Sequence, residues 1–150
     1  MRRKDREKDA AFAMEVLRDC EYATLATINK DGSPYCIPVS VAVVRNAIYF
    51  HCAAEGQKLD NIKNNENVCI SGARYTKLTP DNFTTEYESA VAAGKCYIVY
   101  DETEKIAALK AICEKYAPSN LNADVEIINA ARRTCICRID ITNITGKANI

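Results

Sequence analysis

The stretch YATLATINKDGSPYCIPVSVAVV, residues 22–44, decides the fold. Residues 22–28 are short and apolar with two threonines, and Asp31-Gly32 followed by Ser33 and Pro34 has the chemistry of a hairpin turn, so residues 35–44 run back as a second strand. Pro38 has no N–H to give to a ladder. That puts its strand at an edge or a bulge, the kind of place where a barrel opens to admit a ligand. Outward from the hairpin, Phe12, Val16, Leu17 and Cys20 recur at helical spacing, and Arg45-Asn46 turns the chain into a third strand over 47–52. Residues 53–62, anchored only by Leu59 and Ile62, read as a short surface helix. Residues 66–75 form a fourth strand with a bulge at Gly72. The run 84–101, interrupted at Gly94, is too long for one flat sheet and reads as a strand that bends around a closed one. Asp101 with Glu104 caps a helix carrying Ile106, Leu109, Ile112, Cys113 and Tyr116, ended by Pro118. Residues 119–133 are ambiguous and part helical, and 134–142 alternate as a half-buried strand. The expectation is a single mostly-β domain over 1–150: about six antiparallel strands in a barrel, with flanking helices.

Composition narrows the function. Apolar residues at 48% and charged residues at 27% suffice for a core. Twenty Lys plus Arg against twenty Asp plus Glu leave no net field, so neither nucleic acid nor membrane is an expected partner. The mixed-sign run at residues 2–8 reads as a solvated lead-in. No apolar signal stretch follows Met1, and no run approaches a membrane span, which points to the reducing cytoplasm. There the eight cysteines are expected as buried, reduced thiols. Cys135-Ile136-Cys137 places two sulfurs on one strand face, but a structural zinc usually takes four ligands and the chain has one histidine, so no metal is expected. The glycine-rich phosphate loops of nucleotide-binding folds are missing.

The strongest chemical cluster is residues 48–58. It sets the single histidine, His51, at the end of an apolar strand, then a small-residue turn through Ala53 and Gly56, then Gln57 and Lys58 at the start of a helix. Bare N–H groups at a helix start beside a lysine suit a phosphate-sized anion. A structural His51 and a solvated Lys58 are the alternative reading of the same spacing. Cys52 follows His51 directly, so the two side chains take opposite faces and His51 cannot activate that thiol.

The order of motifs resembles a known family. The opening MRRKDR, the hairpin residues Asp31 to Tyr35 with Ile37, Pro38 and Val39, the block 49–58, Asn67-Val68, residues 87–91 with Gly94-Lys95, and the closing 144–147 are similar to the nitroimidazole-resistance (Nim) proteins. These belong to the pyridoxamine 5'-phosphate oxidase-like split barrels that bind flavin. The resemblance implies a homodimer with FMN, or FAD, in a groove between subunits. Pro38, Val39, Ser40, Val41, His51, Cys52 and Ala53 would line the isoalloxazine, with His51 the residue nearest the chemistry. Gly56, Gln57 and Lys58 would hold the phosphate, and Glu88 and Ser89 would approach from the other chain. On the long strand, Glu88 and Ala90 share one face, with Ala90 expected at the subunit contact. After Pro38 the family commonly has an aromatic residue, and Ser40, Val41 and Ala42 are small here, a difference that bears on the acceptor. The function implied is an FMN-dependent oxidoreductase acting on a small nitro-aromatic. A flavin carrier, or a haem binder with His51 as axial ligand, is the alternative on the same fold, and a cofactor-free barrel is the rival from another class.

Overall fold

The computed structural model describes residues 2–120 and 123–150. These residues form strands β1 (Glu7–Lys8), β2 (Ala23–Ile28), β3 (Pro34–Val39), β4 (Val41–Val44), β5 (Ala47–Cys52), β6 (Asn67–Thr79), β7 (Thr84–Val99) and β8 (Cys135–Asn149). The helices are α1 (Ala10–Asp19), α2 (Gln57–Asn64), α3 (Glu102–Tyr116) and α4 (Ala123–Ala131). All pairings are antiparallel, in the order β3-β2-β6-β7-β8-β5-β4, with β1 beside β8.

Mostly-β architecture with flanking helices is as expected, but the described strands number eight rather than six, and the sheet is open rather than closed. The short β1, in the run read as a solvated lead-in, is one added strand, and a division at Ser40 accounts for the other and for the opening. The apolar run 35–44 parts at Ser40 into β3 and β4, and these become the two opposite edges of the sheet. Pro38 does sit on an edge strand. The ambiguous stretch 119–133 yields α4, while residues 121 and 122, like Met1 of the opening motif, lie outside the described residues.

The hairpin turn is local chemistry throughout. Gly32 has φ +85°, and the Asp31 carboxylate accepts from the Ser33 N–H at 3.0 Å and the Ser33 hydroxyl at 2.6 Å. Helix α1 starts where Asp9 accepts from the Phe12 N–H at 2.8 Å. It lays Val16, Leu17 and Cys20 into the inner face of the sheet among Leu25, Phe50, Ile70 and Ile139, all fully buried. Each large aliphatic chain so buried contributes roughly 1.5–3 kcal/mol. A second apolar layer lies on the outer face, where Leu109 of α3 and Ile127 of α4 cover Tyr49, Val99 and Ile136. Asp101 caps α3 by accepting from the Glu104 N–H at 2.8 Å, as the sequence indicated.

The expected irregularity at Gly94 is present as a shift in register between Ala93 and Gly94. The one expected at Gly72 is absent, because the ladder runs straight through Gly72 opposite Ala90 and shifts instead between Arg74 and Lys77. Gly72 is where α1 presses on the sheet: a Cβ there would stand 2.9 Å from the Cys20 sulfur. The same packing corrects the placement of Ala90. It is 1% exposed, between Gly72 and Gly146 on the core face, so the uncovered face of the long strand is that of Ser89 and Val91. Val91, 43% exposed, stands there beside Ser71 of β6 and Thr145 of β8. Among the described residues, no helix is long and apolar enough to cross a membrane.

Candidate functional site at the end of strand β5

Strand β5 ends in His51 and Cys52, and the alternation of side chains separates them as expected: His51 is exposed on the outer face and Cys52 is buried on the inner one. The Cys52 thiol is pushed far above the ordinary range by its hydrogen bond with Cys137 and then by burial, with Lys58 pulling more weakly the other way. Held protonated and turned away from His51, this thiol has no base to ready it for nucleophilic catalysis.

Beyond Cys52 the chain runs exposed through Ala53 to Gly56. Gly56 takes φ +132°, a conformation that costs any other residue strain, and the space a Cβ would occupy is open. Helix α2 then begins. The N–H groups of Leu59 and Asp60 donate to the Gly56 carbonyl at 2.9 and 3.2 Å. Those of Gln57 and Lys58 lie ahead of them in the first turn, where a helix supplies no acceptor. Lys58 is half-buried, and among the described residues no carboxylate pairs with it, whereas Lys95 is tied to Glu66 and Lys77 to Glu86. Backbone donors, positive helix end and uncommitted ammonium coincide, an arrangement suited to a phosphate.

Helix α2 is fixed by a buried polar network that the sequence did not announce. Asn61, 2% exposed, donates from Nδ2 to Thr27 Oγ1 at 3.0 Å and to Asn29 Oδ1 at 2.8 Å, and its Oδ1 accepts from Gln57 Nε2 at 2.9 Å. Gln57 thus points into its own helix and the β2–β3 turn, beside a cleft of about 420 Å³ lined by Asn29, Lys30, Asp31, Tyr35 and Gln57. Leu59 and Ile62 mark the buried side of α2 by their spacing, and only the fold reveals that the amide between them has a polar socket. Asn61→Ala is expected to lower stability by about 1–3 kcal/mol, since it removes the nearest partner of the buried Thr27 hydroxyl and of the Asn29 amide oxygen and leaves them only contacts of 3.4 Å to the Tyr35 carbonyl and to Gln57. The midpoint of urea unfolding measures this, and an unchanged midpoint would mean that the network contributes nothing.

The other residues singled out from the sequence fall in two places. Val41 stands opposite Phe50, one residue before His51, so the β3–β4 junction runs alongside the end of β5. There Pro38 is exposed, Val39 buried, Ser40 half-buried and Val41 buried. Lys115, which the sequence did not single out, and Tyr116, expected only as an apolar position of its helix, hold this junction: the Tyr116 hydroxyl accepts from the Val41 N–H at 3.0 Å, and Lys115 Nζ donates to the Val41 carbonyl at 2.9 Å. Glu88 and Ser89 are elsewhere. Ser89 lies ten residues along β7 from Val99, the residue level with Ile136 and so with His51. That is roughly 30 Å of strand, so these residues do not meet His51 within one chain. Glu88, expected at the flavin, is bound within its own chain: its carboxylate accepts from Arg74 Nε at 2.6 Å, and Arg74 also reaches Asp19. Ser89 faces outward.

A family model described as pyridoxamine 5'-phosphate oxidase matches residues 9–148. Among solved structures, the chain is similar to a candidate 5-nitroimidazole antibiotic resistance protein from Bacteroides thetaiotaomicron VPI-5482, with TM-score 0.78 and 24% identity over 93% of this chain and 84% of that one. It is similar to a FAD-binding protein from Mesorhizobium loti, with TM-score 0.70 and 20% identity over 97% and 98%. A FAD- and haem-binding protein from Mycobacterium smegmatis gives TM-score 0.79 and 16% identity over 96% and 73%. At these identities the likeness is one of fold, the split barrel. No curated protein matches the chain.

Proposed function

We propose that this chain, which belongs to the pyridoxamine 5'-phosphate oxidase family, is an oxidoreductase that binds FMN and reduces a small acceptor such as a nitro-aromatic. The observation that carries the reading is the start of α2, where Gly56 leaves the backbone bare and the half-buried Lys58 has no ion pair among the described residues. Gly56, Gln57 and Lys58 would hold the phosphate. Pro38, Val39, Ser40, Val41, His51, Cys52 and Ala53 would form the wall for the ring, Val39, Val41 and Cys52 through their backbones because their side chains are buried. Bound flavin supplies the electron transfer, and the protein's part is to bind, orient and exclude water. His51, exposed at the strand end, is placed to donate a hydrogen bond to whatever docks there.

The far wall is assigned to a second copy of the chain. The uncovered face of β6, β7 and β8 carries the small residues Ser71, Ser89, Val91 and Thr145, a surface on which two sheets can approach closely. Ser89 is its member that would reach the flavin of the other subunit. Val91→Glu would bury a charge in such an interface, and is expected to yield monomers with flavin lost in parallel. Light scattering beside flavin fluorescence over a dilution series is the measurement, and a monomer retaining one tight flavin per chain would end the shared-site model.

The test of the function is an absorption spectrum of the purified protein, followed by mass determination of whatever is released on denaturation. Flavin absorption, with FMN released or taken up at tens of micromolar, is the expected result. A Soret band would assign His51 to haem instead, a reading favoured by its exposure at the strand end and by the relative named for both FAD and haem. A colourless protein that takes up neither would point to a barrel without cofactor.

A further inference from the structure

On the inner face of the sheet, three thiols that are far apart in sequence stand together. Cys52, the last residue of β5, is directly opposite Cys135 of β8, and Cys137 lies two residues along on the same face. Their sulfurs all lie within 4.8 Å of one another. Three sulfurs bound at about 2.3 Å to a trivalent ion, whose lone pair makes the arrangement pyramidal, stand about 3.5 Å apart, a contraction that side-chain rotation can supply. The pair Cys135 and Cys137 alone gave no reason to expect a site; the third ligand comes from the register of β5 on β8, which spacing along the chain does not reveal. We propose that Cys52, Cys135 and Cys137 form a three-thiol site for a trivalent thiophilic ion of the arsenite class.

Charge selects the ion. Cys137 is fully buried, Cys52 is 8% exposed, and apolar Phe50, Ile98 and Ile139 surround them. Burying net charge in such a place is costly. Three thiolates on a monovalent ion leave two negative charges; on a divalent ion they leave one, and no fourth His, Cys, Asp or Glu among the described residues joins the set within 4.8 Å, Cys96 being bonded to Cys137 but standing outside the group. Three thiols and arsenous acid give a neutral product. Three As–O bonds break and three As–S bonds form, each thiol proton leaves with a hydroxide as water, and arsenic stays trivalent. The site therefore needs no ionised thiol beforehand, consistent with burial raising Cys135 and with Cys52 and Cys137 both raised far above the ordinary thiol range. In Cys137 the hydrogen bond to Cys52 pulls downward, and the bond to Cys96 together with burial outweighs it. The way in is the end of β5, where Ala53 and Ala54 are exposed.

The experiment is titration of the full chain, kept reduced with a phosphine, with arsenite alone. Calorimetry and native mass spectrometry are expected to show one arsenic per chain, whether or not flavin is bound. Cys52→Ala, Cys135→Ala and Cys137→Ala should each lose stoichiometric uptake, while Cys36→Ala combined with Cys69→Ala should keep it. X-ray absorption at the arsenic edge of the wild-type protein should show three sulfur neighbours and no oxygen, and it decides the matter even if a variant fails to fold. No uptake, two sulfur neighbours, or uptake that survives in folded Cys52→Ala would each overturn the site. Binding of zinc or cuprous ion in place of arsenite would overturn the choice of a trivalent ion. Flavin binding can fail its own test without touching this one.

Discussion

Lys58→Ala is expected to weaken FMN binding by roughly tenfold or more while leaving riboflavin nearly unaffected. A charge-assisted contact to phosphate is worth about 1.5–3 kcal/mol, and each 1.4 kcal/mol is about a factor of ten. The ammonium is well placed for such an effect because it is half-buried and no carboxylate among the described residues competes for it. Riboflavin carries the same ring without the phosphate, so it reports on everything the lysine does except phosphate binding. Fluorescence titration of both ligands against both proteins is the measurement. Equal losses for the two ligands would show that Lys58 supports the junction between β5 and α2 instead.

Gly94→Ala is expected to cost about 3 kcal/mol or more, at the upper end of what overpacking does in protein cores. A Cβ at this position would stand 2.3 Å from the Asp140 carbonyl oxygen and 3.0 Å from Ile139 Cγ2. The nearer atom is backbone and cannot swing aside as a side chain would, so β7 and β8 would have to part where their register shifts. Because these two strands carry the core face of the sheet, the loss should appear as a cooperative fall in the urea midpoint. A midpoint shifted by less than about 1 kcal/mol would mean that the bulge opens freely.

What could be read from the sequence was local. Asp31-Gly32 announced the β2–β3 hairpin because the turn is built from its own side chains and a positive-φ glycine. The Asp101 cap and the opposite faces of His51 and Cys52 follow from rules spanning four residues or fewer. The separation of β3 from β4 could not be seen, because residues 35–44 are one apolar run and its division depends on which distant strands each half pairs with. Ala90 went to the wrong face for a related reason: alternation says which residues share a face, not which face α1 will cover. The start of α2 was identified from its spacing. Asn61, which holds that start in place, was not, since its partners Thr27 and Asn29 lie more than thirty residues away.

The division at Ser40 also bears on self-association. An open sheet has two rows of unpaired backbone groups, and such edges recruit strands from other molecules. Both edges here are blunted. On β3, Pro34 and Pro38 remove two donors from a six-residue strand, so an incoming chain finds an incomplete ladder. On β4, only four residues long, the first rung is already occupied, because the N–H and carbonyl of Val41 are taken by Tyr116 and Lys115 at the end of α3. A sheet protected in this way can stay unclosed at high concentration without polymerising through its rims.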